Sequence, residues 1–171
     1  MDGKLHVYTG DGKGKTTAAL GLTLRAVGAG LSVYIGQFLK GSSYSELSSI
    51  KRLGDAVLLE QFGQPSFVRD KPTEADIAAA RRGLGRCAEM LTASTFDIVV
   101  LDEANLAVHY DMFSIDELLE VLAHRAPTVE AIVTGRRAHP RLLEAADLVT
   151  EMREVKHYFH TGVMARQGIE D

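Results

Sequence analysis

Thr9-Gly10-Asp11-Gly12-Lys13-Gly14-Lys15-Thr16-Thr17 follows an apolar run, Leu5-His6-Val7-Tyr8, and leads directly into a segment of helical character. A strand, a glycine-rich loop and a helix in that order build a phosphate site, because small residues let backbone N–H groups converge on phosphate oxygens at the helix N-terminus. Lys15 adds a point charge and Thr16 a hydroxyl able to reach Mg2+. The strict pattern G-x-x-x-x-G-K-[ST] is not met, since Thr9 stands where its first glycine would fall. Gly10 and Gly12 therefore have to supply the turn. A glycine-rich turn with incidental lysines is the plainer alternative; the flanking strand and helix favour nucleotide binding.

Outward from this loop, apolar runs of strand length alternate with helical segments, which predicts βαβ units and a mostly parallel sheet of six strands. After the first come Ser32 to Ile35, Ala56 to Leu59, Ile98 to Leu101, Val129 to Val133 and Leu148 to Thr150. The fourth and fifth are continuous and rich in β-branched residues, as inner parallel strands buried on both faces should be. The first helix is expected to end near Gly28-Ala29-Gly30. A second begins at Thr73 with a capping-box pattern and repeats Ile77, Ala80, Leu84, Ala88 and Leu91 at helical spacing. A third pairs Ser114 with Glu117 and ends before Pro127, and a short fourth starts at Pro140. The segments 41–49 and 63–72 read as long polar loops, and the stretch after Val155 shows no period.

The fourth strand ends in Asp102-Glu103. Beside a phosphate loop, a carboxylate at such a strand end can hold Mg2+ directly or through water, and either residue could be the ligand. Polar residues follow other strand ends as well: Gln37 and Lys40 after the second, and Arg136 next to Gly135 after the fifth. That edge of an open α/β sheet carries the ligand crevice, and basic groups there suit a triphosphate. Arg137 reads as a solvated surface residue. His157 and His160 lack neighbouring ligands at a convincing spacing, and Cys87 reads as a small core residue.

Composition narrows the classes further. The 171 residues are 46% hydrophobic and 25% charged, so an ordinary folded domain is expected across the whole chain, not disorder or low complexity. With 19 Lys and Arg against 23 Asp and Glu, the net charge of -4 lacks the footprint of a nucleic-acid binder. One cysteine fits a reducing compartment, the N-terminus lacks signal-peptide features, and no run is long enough to span a membrane. A cytoplasmic protein is expected.

Taken together, TGDGKGKTTAALG at 9–21, QFLKG at 37–41, VVLDE at 99–103, VTGR at 133–136 and VKHYFHTGVMARQGI at 155–169 resemble the phosphate-loop ATP:corrinoid adenosyltransferases nearly end to end. The resemblance implies a RecA-like α/β fold that binds MgATP and a cobalt(I) corrinoid, cobalamin or a precursor, transfers the 5′-deoxyadenosyl group to cobalt and releases triphosphate. Because cobalt(I) is the nucleophile, no protein nucleophile or general base is required. The protein positions C5′ and stabilises the leaving triphosphate. On this reading residues 9–17, with Lys15 and Lys13, surround the phosphates; Thr16 with Asp102 or Glu103 holds Mg2+; and Lys15, Thr16 and Glu103 form the catalytic set. ATP sits in the family's loop with reversed polarity, so individual phosphate contacts do not carry over from ordinary ATPases.

The resemblance also implies a homodimer and a flavoprotein or other reductant as partner. Two departures stand out. Family members often carry an N-terminal extension over the site, whereas few residues precede the first strand here, so closure is expected from elsewhere or from a partner subunit. The family also uses aromatics, commonly a tryptophan, after the third strand to displace the lower cobalt ligand. This chain has no tryptophan. Phe67, or failing that Phe62, is expected to replace it. A small phosphate-loop kinase or hydrolase, releasing ADP, is the rival enzyme reading, and a nucleotide-dependent regulatory binder is the rival from another class.

Overall fold

Residues 2–42, 44–65 and 71–170 are described by a computed structural model. Six strands form one sheet in the order β3-β2-β4-β5-β1-β6, with every neighbouring pair parallel: β1 Leu5–Thr9, β2 Val33–Phe38, β3 Val57–Phe62, β4 Ile98–Asp102, β5 Glu130–Thr134 and β6 Leu148–Glu151. Parallel pairing requires crossovers, and the helices that make them cover both faces. On one face α1 (Lys15–Gly28) and α2 (Ser45–Lys51) place Ala19, Ala26 and Ile50 over Val33, Ile35, Val100 and Ile132. On the other, α3 (Glu74–Ala93), α4 (Ala104–His109), α5 (Ile115–Ala123) and α6 (Pro140–Ala145) cover Val7, Phe38, Leu101 and Val133. All residues of β4 are buried, as the continuous apolar run predicts.

Both expected capping boxes form: Thr73 with Asp76 at α3, and Ser114 with Glu117 at α5. Three expectations need correction. The segment 41–49 is not all loop, because α2 starts at Ser45; its single buried residue, Ile50, leaves only a short and weak apolar signal. The helix α4 was hidden by following a strand without a break. The second and third strands run to Phe38 and Phe62, so Gln37 lies inside a strand rather than after it.

Close packing fixes two glycines. A Cβ on Gly36 of β2 would come 2.7 Å from Cys87 Sγ, and one on Gly83 of α3 would come 2.6 Å from Phe62 Cγ. Small residues there let α3 sit down on the sheet. The parallel register then aligns the C-terminal strand ends: Gln37 stands opposite Asp102, and Tyr8 opposite Thr134. Thr9, Gln37, Asp102 and Thr134 thereby share one edge, and the site is built there.

Candidate active site

The loop between β1 and α1 turns through Gly10 and Gly14, whose φ angles of 94° and 121° are disfavoured for residues with a Cβ. Gly10 and Gly12 also lie against the chain leaving β6. A Cβ on either would fall 2.5 and 2.7 Å from the Met152 carbonyl, which accepts a hydrogen bond from Gly12 N. Gly14 caps α1 without a side-chain partner, so the first amides of the helix face the cleft as free donors. Lys15 is 6% exposed and donates to the carbonyls of Gly10 and Gly12, each at 2.7 Å. Burial pulls its pKa down, against the attraction of Glu103.

Asp102 organises the opposite wall. Its Oδ1 accepts from the hydroxyls of Thr16 at 2.8 Å and Thr134 at 2.7 Å, while its Oδ2 accepts from Lys40 at 2.9 Å and Gln37 at 3.3 Å. Gln37 is fully buried and extends the network to Glu46 on α2 and Gln61 on β3. Burial acts to lower the Lys40 pKa, but Asp102 and then Glu46 outweigh it and hold the ammonium charged. Glu103 takes a left-handed φ of 63°, with its N–H donating to Thr134 Oγ1, and its side chain faces the cleft. Burial, and then the charge of Asp102, push its pKa up, opposed by Lys40, Lys15 and Arg136.

A cleft of about 930 Å³ opens between these walls, lined by residues 12–17, Lys40, Glu46, Glu103 and Arg136, and closed on one side by the C-terminal segment. The structure thus gathers Gly12 to Thr17, Lys40, Glu103 and Arg136 at one opening, with Asp102, Gln37 and Thr9 beneath it. Asp11 is exposed at the loop. Lys13 engages the C-terminal segment, donating to Ile169 O and Glu170 Oε1. Arg137 turns away to His109. Phe62 packs against Phe38 and Gly83 and is not among the cleft-lining residues; Phe67 lies outside the described residues.

The sequence reading met Thr134 only as a polar residue at the end of the fifth strand, without a role, and missed Glu46 and Glu170. Thr134 was legible as a polar end to an apolar strand; Glu46 and Glu170 carry no local signal. Among the described residues no group of three or more His, Cys, Asp or Glu could hold a metal alone. The oxygen donors of Thr16, Asp102 and Glu103 nevertheless suit Mg2+, which keeps most of its waters and needs few protein ligands.

A parallel sheet whose first strand feeds such a loop, and whose fourth ends in a carboxylate bonded to the loop's threonine, defines a phosphate-loop nucleotide-binding protein of the RecA-like kind. The flagellar accessory protein FlaH from Methanocaldococcus jannaschii shares this fold, with a TM-score of 0.61 and 15% identity over 88% of this chain and 71% of that one. The family model for ATP:corrinoid adenosyltransferase BtuR/CobO/CobP matches residues 1–170, and the chain belongs to that family of adenosyl-transferring enzymes. The chain is 40% identical to a corrinoid adenosyltransferase of Escherichia coli (strain K12), over 98% of this chain and 85% of that protein. It is 37% identical to one of Pseudomonas aeruginosa, over 98% and 83%.

Proposed function

We propose that the cleft binds ATP through the loop amides and Lys15, and that it presents C5′ of the nucleotide to the cobalt of a reduced corrinoid. The observation that carries this reading is the Thr16–Asp102–Thr134 cluster. It ties the phosphate loop to two strand ends and leaves Lys15, Lys40 and Arg136 facing a space of nucleotide size. The cobalt(I) electron pair forms the new bond to C5′, and the C5′–O bond breaks with its pair leaving on triphosphate. The charge gathering on that leaving group meets fixed cations and amides already in place, so little reorganisation is needed.

Thr16, Asp102 and Glu103 would hold Mg2+, which when bound supplies further charge neutralisation on the phosphates. Glu103 is the better placed carboxylate to face the ion, because both oxygens of Asp102 already accept from neighbours. Phe67 remains the residue proposed for the lower face of the corrinoid, and Phe62, half-buried beside Phe38 and Gly83, is the alternative. A reductant partner, a homodimer and a cytoplasmic setting complete the proposal. No helix among the described residues is long and apolar enough to cross a membrane.

Calorimetric titration of ATP with and without Mg2+ tests the site. The reading predicts one nucleotide per chain and an affinity that falls when Mg2+ is withheld or Glu103 becomes Gln. Affinity indifferent to both would contradict it.

A further inference from the structure

The C-terminal segment, which shows no period in sequence, makes a specific attachment to the phosphate loop. The Glu170 carboxylate is 17% exposed and accepts from four groups. Lys13 Nζ donates to Oε1 at 2.9 Å, Arg166 N donates to Oε2 at 2.8 Å, the Arg166 guanidinium donates to both oxygens at 3.3 Å, and the Tyr158 hydroxyl also donates to Oε1. The Arg166 guanidinium lies 4.8 Å from the centre of the Tyr158 ring. Lys13 further donates to Ile169 O at 2.5 Å. Gly12, one residue earlier, is tied to Met152 at the other end of the same segment. The loop is therefore pinned at two successive residues by chain lying between β6 and Glu170, and His157, Gly168 and Glu170 wall the same cleft.

We propose that Glu170 is a positioning residue: through Lys13 it holds the phosphate loop in its binding conformation, and Lys13 serves as the anchor for that contact rather than as a phosphate ligand. This rests on the nucleotide reading above and adds to it a role for the far end of the chain. An isolated exposed ion pair contributes little. Here a single carboxylate gathers several charge-assisted bonds, so the pair is fixed in place before ligand arrives. Arg166, then Tyr158, then Lys13 hold the Glu170 pKa far below the ordinary carboxylate range, which keeps the anchor charged. A loop already in its bound conformation loses less entropy on binding.

Two measurements test this. In the nucleotide-free protein, amide hydrogen exchange of residues 10–16 is expected to quicken at least tenfold in Glu170→Ala, and unchanged exchange overturns the proposal whatever the ligand. In the second, the Kd for ATP is measured in Glu170→Ala, Lys13→Met and the double variant. Each single change is expected to raise it about tenfold and the double no further, because both remove one contact. The KM for ATP should rise with kcat nearly constant, and Glu170→Asp should recover part of the loss. Additive losses, about a hundredfold in the double variant, or a neutral Glu170→Ala, would overturn the proposal. Wild-type protein that fails to bind ATP contradicts the nucleotide reading itself, while the exchange measurement still decides the loop contact.

Discussion

Thr16 donates its hydroxyl to Asp102 at 2.8 Å, joining the first turn of α1 to the end of β4 across 86 residues of sequence. The bond exists because the register of β2, β4 and β5 brings their ends level with the loop. It makes the loop and the buried carboxylate one unit, so a change at either should be felt by both.

Lys15→Ala should abolish adenosyl transfer, lowering kcat/KM by at least 100-fold, while Tm moves by less than about 2 °C. On the proposed reading the side chain stabilises phosphate charge. Its loss takes one donor from two loop carbonyls, and it removes a desolvated ammonium. Steady-state kinetics beside a thermal melt checks both halves; wild-type turnover would contradict the role given to the lysine.

Glu103→Gln should cost activity and gain stability. A raised carboxylate pKa means the folded state binds the proton more tightly than the unfolded state, so ionisation destabilises the fold. The penalty is absent below the ordinary glutamate range and grows as pH rises through the folded pKa. The variant should therefore melt about 2–4 °C higher at pH 7, the effect of roughly 1 kcal/mol in a domain of this size, with the gain gone at pH 4. Melting curves at the two pH values check this, and a gain of equal size at both would contradict the electrostatic cause.

Asp102→Asn should destabilise by about 3 kcal/mol, because it leaves the Lys40 ammonium without its nearest anion in a buried setting. Lys40→Met in the same chain should return a large part of that loss. Urea titration of the two single variants and the double reads the coupling, and strictly additive losses would show that the pair is not the cause.

Gly36→Ala should cost about 1–3 kcal/mol, since the new methyl meets Cys87 Sγ at 2.7 Å inside the sheet–helix interface. Cys87→Ala removes that sulfur, so the double variant should be more stable than the sum of the two singles by over about 1 kcal/mol. Additivity in denaturant titration would place the strain elsewhere.

The loop, its strand and its helix were legible because backbone chemistry there is dictated by residue type: glycines at positive φ, a lysine and a threonine at the helix start. The Asp102 strand end was legible through its apolar run. What the sequence hid was tertiary. Thr134 and Gln37 meet Asp102 only through strand register, α2 buries just one residue, and Glu170 reaches Lys13 across the whole chain. Phe62 illustrates the same limit: an aromatic ending a strand reads equally as core or wall, and only the fold brings Gly83 against its ring.

The most direct measurement is an anaerobic incubation of the protein with MgATP and chemically reduced cobalamin, following the cobalt–carbon bond by its light-sensitive absorbance and the phosphorus products by nuclear magnetic resonance. The account predicts adenosylcobalamin and triphosphate formed one for one, with no ADP. ADP and phosphate without a cobalt–carbon bond would contradict it.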